Sequence, residues 1–177
     1  MLLVGVAVEG AAVDLAADPA NRADGVSAVV LTLPDSIAWL LNVRGGDVSH
    51  SPLPLSFAIL KSGGNVEWFL DPRKRNADLA RHLDGGVILR DPGEFAAALA
   101  ALKGSAVQAD PATAASWIFD RLEEAGATIV RAADPCLMPK ACKNPVELAG
   151  IRAAHRRDGA ALTKFLAWVG RTAPQGG

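Results

Sequence analysis

The stretch VSAVVLTL, residues 26–33, decides the fold of this 177-residue chain. It is a run of apolar and mostly β-branched residues, which is typical of a strand buried on both faces of a sheet. Pro34-Asp35-Ser36 follows at once and supplies a helix start, so a short helix is predicted over residues 37–41. A strand that passes directly into a helix indicates an α/β domain whose helices pack on the sheet.

The chain that follows alternates between strand and helix patterns. Strand-like residues 55–60 and 66–70 flank the turn Ser62-Gly63-Gly64-Asn65, which predicts a hairpin. The elements predicted beyond it are helix 73–83, strand 87–90, helix 93–102, strand 106–109, helix 112–125 and strand 128–131. Pro111 is expected at the first position of the last of these helices, and Gly126 is expected to end it. The sequence therefore predicts an α/β fold in which a mixed β-sheet is flanked by helices.

The last part of the chain changes character. Residues 134–143 contain two prolines and are interpreted as a linker that continues neither helix nor strand. Asn144-Pro145-Val146-Glu147 is a strong helix start, because Asn caps the helix and Glu can reach back to the Asn N–H. A helix is predicted over residues 144–169, followed by a tail at 170–177. Its apolar stripe needs a partner surface and consists of Ile151, Ala154, Leu162, Phe165, Leu166 and Val169.

Composition limits the classes of protein that this chain can belong to. Residues 1–24 lack firm periodicity, so the ordered domain is predicted over residues 25–133. The 18 basic and 19 acidic residues give a net charge of −1, which does not favour a nucleic-acid partner. The apolar stretches are too short to span a bilayer, so no membrane partner is expected. Cys136 and Cys142 are interpreted as reduced thiols of a cytoplasmic protein.

Catalytic motifs are absent from the sequence. His50, His82 and His155 lie in separate predicted elements without HExxH spacing, so no metal site is predicted. His82 and His155 are expected to be solvated. The glycine pairs lack the spacing of phosphate-binding loops, and there is no GxSxG elbow. We therefore assign no catalytic residue and no metal ligand to this chain.

The polar loop at residues 42–54 is the segment that has a functional interpretation. Arg44 offers a planar fork that suits a carboxylate, and Asp47 lies three residues further on, beyond two glycines that let the backbone bend. One interpretation is a local Arg44–Asp47 pair that braces the loop. The other is that Arg44, Asp47 and His50 form a substrate-proximal loop that projects towards a substrate held by another domain or subunit.

Two longer stretches carry a resemblance to a known family. LPDSIAWLLNVRGGD at residues 33–47, followed by Pro52 and FAIL at 57–60, resembles the second domain of three-domain Xaa-Pro aminopeptidases. PKACKNPVELAGIRAAHRRDGA at residues 139–160 resembles the junction of that family into its catalytic domain. The resemblance covers about residues 25–169.

The resemblance implies a creatinase/prolidase N-terminal-like domain with an extra C-terminal helix, the first of a pita-bread catalytic domain. The family releases an N-terminal residue that precedes proline, and it uses two divalent metals, usually manganese, held by residues of that catalytic domain. The resemblance places all of those ligands beyond Gly177. We therefore expect the chain to hold no metal and to be inactive alone, with the missing catalytic domain or another copy of the chain as its partner.

Two functional hypotheses follow. In the first, the chain is a non-catalytic fragment of a proline-specific metalloaminopeptidase that supports substrate access and assembly, and the full-length protein acts on proline-containing peptides. In the second, it is a stand-alone interaction module that self-associates through the C-terminal helix. A third idea, a small-molecule-binding α/β domain, has no motif in the sequence to support it.

Overall fold

The computed structural model describes residues 3–4, 25–83 and 85–173. The chain divides into two compact units, Met1–Ala141 and Cys142–Gly177. Apart from strand β1 (Leu3–Val4), the poorly periodic segment 1–24 lies outside the described residues. The same is true of residues 174–177 in the predicted tail.

The first unit is built on a six-stranded mixed sheet, which confirms the predicted fold class. Its strands are β2 (Ala28–Leu31), β4 (Phe57–Lys61), β5 (Val66–Phe69), β6 (Val87–Arg90), β7 (Ala106–Ala109) and β8 (Thr128–Arg131). They lie in the order β6-β5-β4-β2-β7-β8, with β4 antiparallel to both neighbours and the other pairs parallel. Strand β3 (Val43–Arg44) pairs separately with β1.

Strand β2 lies inside this sheet and is buried on both faces. Each of its four residues is at most 3% exposed. Val29 and Leu31 belong to one core cluster, whereas Ala28 and Val30 belong to the other, because successive side chains of a strand point to opposite faces. Apolar residues are therefore needed at consecutive positions, which is why this strand is a continuous apolar run.

Helices cover the sheet, and several are shorter than predicted. They are α1 (Pro34–Leu40), α2 (Ala77–His82), α3 (Phe95–Ala100) and α4 (Ser116–Ala125). The predicted helix 73–83 is split into a 3-10 turn, Pro72–Lys74, and α2. Separate caps cause the split: the Asp71 side chain accepts from the Arg73 N–H, and the Asn76 side chain accepts from the Leu79 N–H. The predicted helix 93–102 instead begins with a 3-10 turn, Pro92–Glu94, which leads directly into α3 without a second side-chain cap.

The prediction that Pro111 begins a helix is wrong. The Asp110 side chain accepts from the Ala112 N–H at 2.8 Å, and the backbone carbonyl of Asp110 accepts from the Ala114 N–H at 2.9 Å. This local turn occupies the residues before α4, which begins only at Ser116. Gly126 ends α4 with φ of 76°, as predicted.

The interpretation of residues 134–143 as free of helix is also wrong, because they contain α5 (Leu137–Ala141). Pro139 is tolerated there because it lies in the first turn of the helix, where an N–H has no intrahelical acceptor. Lys140 Nζ donates to Asp35 Oδ2 at 2.5 Å and to Ser36 Oγ at 3.3 Å, which holds α5 against α1.

The second unit is dominated by the long helix α6 (Pro145–Thr172). The predicted capping box is confirmed: the Asn144 side chain accepts from the Glu147 N–H, and the Glu147 side chain accepts from the Asn144 N–H, both at 2.9 Å. Helix α6 extends three residues past the predicted end at 169. None of the described helices combines the length and the apolarity needed to cross a membrane.

Candidate functional site

The loop at residues 42–54 folds back on itself through backbone hydrogen bonds. The Gly45 N–H donates to the Pro52 carbonyl at 3.1 Å, and the Asp47 N–H donates to the Leu53 carbonyl at 3.3 Å. The two arms of the loop therefore hold each other, and the backbone between them is constrained rather than open.

Gly45 is needed here because two parts of the backbone come very close together. A Cβ added to Gly45 would lie 2.5 Å from the Pro54 nitrogen and 2.7 Å from its Cα, which is closer than real Cβ atoms approach. Positive φ occurs in this loop at Asn42 (49°) and His50 (61°) rather than at Gly45. A glycine is thus required because the Pro54 backbone comes close to Gly45, and not because the backbone bends tightly there as the sequence indicates.

Asp47 is the electrostatic anchor of the loop. Its Oδ2 accepts from the Leu55 N–H at 2.7 Å and forms an ion pair with Lys74 Nζ, which also donates to the Leu55 carbonyl at 3.0 Å. Burial opposes ionisation of Asp47, but the hydrogen bonds from Lys74 and Leu55 outweigh it and lower the pKa of the carboxyl below its ordinary value. The ion pair joins the loop to the 3-10 turn after β5.

Arg44 and Asp47 have different partners, so the interpretation of a local Arg44–Asp47 brace is wrong. Arg44 Nη1 donates to the carbonyls of Val43 at 2.8 Å and Ala38 at 3.3 Å. The brace is supplied by Lys74, which lies 27 residues after Asp47 in the sequence. No local spacing rule could have indicated it, because the contact depends on how the strands are arranged.

The third loop candidate, His50, is exposed. No hydrogen bond or ion pair joins it to Arg44 or Asp47 in the part of the chain that the structure describes. The approach of these three residues to a substrate therefore stays a prediction. The expectation that His82 is solvated is wrong: its Nε2 lies 2.9 Å from the Leu41 carbonyl oxygen, and the residue is half-buried.

The described residues do not fit a metal centre. Within residues 3–4, 25–83 and 85–173, no group of three or more His, Cys, Asp or Glu side chains could hold a metal ion. A dinuclear centre needs several convergent carboxylates and at least one histidine.

A buried polar cluster fixes the segment that follows β8. Asp110 Oδ2 accepts from the Asp134 N–H at 3.0 Å, Asp134 Oδ1 accepts from the Cys136 N–H at 2.8 Å, and Gln108 Nε2 donates to the Ala133 carbonyl at 2.7 Å. Burial and the neighbouring Asp134 raise the pKa of the Cys136 thiol far above its ordinary value. A thiol that stays protonated is a poor nucleophile, so the role of this cluster is structural.

An aromatic cleft, which no sequence motif predicts, lies elsewhere in the first unit. It is a cavity of 480 Å³, and its main lining residues are Thr32, Phe57, Phe95, Thr113 and Trp117. The rings of Phe57 and Phe95 are stacked, with centroids 4.8 Å apart and planes 6° apart. The hydroxyls of Thr32 and Thr113 lie 3.1 Å from each other. These residues come from four separate segments, so no motif could have predicted the cleft.

The chain belongs to the Creatinase/Prolidase N-terminal domain family, whose profile matches residues 15–147. This confirms the resemblance that residues 33–60 and 139–160 carry. Among curated relatives, a protein of Arthroderma gypseum named "Probable Xaa-Pro aminopeptidase P" is 34% identical over 151 residues, which cover 81% of this chain and 24% of that protein. A protein of the same name from Paracoccidioides brasiliensis is 35% identical over 153 residues, covering 79% and 24%. The chain thus spans about a quarter of the length of these relatives.

Solved structures show the same fold. One of them is the X-prolyl aminopeptidase from Caenorhabditis elegans, which is described as a cytosolic enzyme with a di-nuclear active site. The superposition covers 99% of this chain and 30% of the Caenorhabditis elegans chain, with a TM-score of 0.82 and 24% sequence identity. The superposition on an Xaa-Pro dipeptidase from Bacillus anthracis covers 88% of this chain and 42% of the dipeptidase chain, with a TM-score of 0.65 and 15% sequence identity. At these identities the likeness concerns the fold alone.

We expect Gly45→Ala to destabilise the first unit by about 1–3 kcal/mol, because the new methyl group overlaps the Pro54 backbone. Gly63→Ala is the matched control, since an added Cβ there meets nothing within 4 Å, and it should change stability by less than about 0.5 kcal/mol. Urea unfolding followed by circular dichroism measures both. Equal stability of the two variants would contradict the close approach.

We expect NMR titration of the Asp47 carboxyl to give a pKa below 3.8, and Lys74→Met to raise it. Because the folded-state pKa is lowered, the stabilisation from ionised Asp47 is present above the ordinary pKa and is lost as the pH falls through the folded value. Lys103→Met, which removes an exposed lysine elsewhere in the unit, is the control and should leave the Asp47 pKa unchanged. An Asp47 pKa that is the same in the wild type and in Lys74→Met would show that Lys74 is not the partner of Asp47.

Proposed function

We propose that this chain is a non-catalytic, substrate-gating module of a proline-specific metalloaminopeptidase, an enzyme that releases the N-terminal residue preceding proline. The observation that carries the proposal is its membership of the Creatinase/Prolidase N-terminal domain family, together with relatives named Xaa-Pro aminopeptidase P that are 34–35% identical over about four-fifths of the chain. Because it spans 24% of those relatives, the activity is assigned to the parent enzyme rather than to this module.

In this proposal the module contributes to substrate access and assembly, while the chemistry belongs to the rest of the parent enzyme. The lack of a metal-holding group among the described residues supports that division. The two divalent metals, manganese in our proposal, would be held outside this module. The proposed substrate-proximal loop is the one that carries Arg44, Asp47 and His50. The ion pair between Asp47 and Lys74 gives that loop a defined shape.

We place the parent enzyme in the cytoplasm. The structural neighbour from Caenorhabditis elegans is described as a cytosolic enzyme, and Cys136 and Cys142 are both free, as expected of a protein in a reducing compartment. Its proposed substrates are proline-containing peptides. The proposed partner of the module is the catalytic domain of the same enzyme.

A second candidate function, self-association, rests on helix α6. Five of its large apolar side chains are each more than half exposed: Val146, Leu162, Phe165, Leu166 and Trp168. Phe165 and Trp168 also stack on each other, with ring centroids 6.2 Å apart, so they present one continuous apolar surface. Large exposed apolar surfaces mark interaction sites, and a second copy of the chain is one partner that this surface suits.

We expect the 177-residue chain to release no N-terminal arginine from an Arg-Pro-Pro peptide, even with added Mn²⁺, because its described residues offer no metal site. Chromatographic detection of free arginine is the measurement, and a full-length Xaa-Pro aminopeptidase serves as the positive control. Turnover that survives repurification and disappears on addition of a chelator would show that the module itself is catalytic.

Self-association predicts that the sedimentation coefficient of the chain rises with concentration. Replacing Phe165 and Leu166 by serine should then abolish the rise, because it removes apolar surface from α6, whereas Lys164→Ala on the same helix should preserve it. Analytical ultracentrifugation over a hundredfold range of concentration, on the order of 1–100 μM, makes the comparison. A strictly monomeric wild-type chain would eliminate the self-association hypothesis.

A further inference from the structure

The aromatic cleft lies where the sheet of an α/β protein usually binds ligands. Thr32 directly follows β2, and Thr113 lies four residues after β7; these two neighbouring strands are parallel, so their carboxyl ends meet at the same edge. Ligand sites of open α/β sheets lie outside the carboxyl ends of the strands. The volume of 480 Å³ falls within the range of about 300–1,000 Å³ that small-ligand sites occupy.

The rings of the cleft form a preorganised apolar surface. Phe95 is only 5% exposed and is held between Phe57, stacked at 4.8 Å, and Phe69, edge-on at 4.9 Å. Phe57 and Trp117 remain 40% and 43% exposed although both line the cavity. Phe95 covers one face of Phe57, and the Arg121 guanidinium lies 5.8 Å from the Trp117 ring centroid, so each ring offers an occupant only its remaining exposed surface. A rigid aromatic surface loses little side-chain entropy when a ligand packs against it.

The polar groups of the cleft favour an uncharged occupant that carries a hydrogen-bond acceptor. The hydroxyls of Thr32 and Thr113 share one hydrogen bond at 3.1 Å. Each hydroxyl carries a proton, so that bond uses one donor and leaves the other for a ligand carbonyl. No charged side chain lines the cavity among the described residues, and the rest of its lining consists of Pro92, Gly93, Ala96, Ala115 and Ile118. A charged group of a ligand would find no oppositely charged side chain among the lining residues.

We propose that the aromatic cleft binds a proline-containing peptide segment in the extended polyproline conformation. The prolyl ring is a compact apolar group that packs on aromatic side chains, and an amide at proline has a carbonyl but no N–H that would need an acceptor. An aromatic surface beside a free hydroxyl donor complements both features. The preference for proline over other apolar residues rests in part on the proposed function, whereas the cleft itself is defined by its own residues.

The test is an NMR titration of the ¹⁵N-labelled 177-residue chain with the capped peptide Ala-Pro-Pro-Ala, compared with capped tetra-alanine. We expect saturable shifts of the Trp117 indole N–H and of the Thr32 and Thr113 amides with the proline peptide, and much weaker shifts with tetra-alanine. Trp117→Ala should weaken binding about three- to tenfold through lost stacking. Thr113→Val keeps the shape but removes a hydroxyl, and it should weaken binding by a similar factor.

Met138→Ala is the control, because it removes another exposed apolar side chain of the first unit that does not line the cleft, and it should leave the affinity unchanged. Thr113 is exposed, so its variant tests the site without endangering the fold. Equal binding of both peptides would overturn the proposal in favour of an unselective apolar surface, such as a contact with another part of the parent enzyme. Shifts of the Trp117, Thr32 and Thr113 signals that grow with protein concentration in the absence of peptide would overturn it in favour of a second copy of the chain in the cleft.

Binding is measured without any hydrolysis, so this inference and the proposed function fail separately. No saturable shift with the proline peptide would end the inference and leave the assignment to the aminopeptidase untouched. Hydrolysis by the isolated chain would contradict the proposed non-catalytic role but would have no bearing on the cleft.

Discussion

Burial of β2 on both faces is the constraint on which the first unit depends. Its neighbours β4 and β7 cover both of its edges, and the two core clusters cover its faces, with Leu31 on one side and Val30 on the other. Such a strand can lie only in the interior of a sheet that has helices on both faces. The change from antiparallel pairing with β4 to parallel pairing with β7 at this strand also brings Thr32, Phe57 and Thr113 to one edge.

The loop at 42–54 and the aromatic cleft show two ways in which the fold can give a surface a defined shape. The loop is held by backbone bonds and by one ion pair, so its shape depends on Gly45 and on the charge of Asp47. The cleft is held by ring stacking on Phe95, which itself belongs to the core. A surface supported by the core keeps its geometry when no ligand is present, which is the condition for preorganised binding.

Buried polar residues near the ends of β7 and β8 act on the backbone of the first unit. The described residues offer no metal-holding group, Cys136 is a buried thiol whose pKa is raised, and the polar residues Asp110 and Asp134 serve backbone turns. Their polar groups hold the segment after β8 in place.

The sequence by itself determined most of the local elements, although it missed the start of α4 and the existence of α5. The predicted strands 87–90, 106–109 and 128–131 have the observed bounds, and the capping box at Asn144 forms as predicted, because periodicity and caps act within a few residues. Only the tertiary structure decided that Asp47 pairs with Lys74 and that Thr32 meets Thr113 across 81 residues. Such contacts depend on strand order and parallelism, which no local pattern of residues encodes.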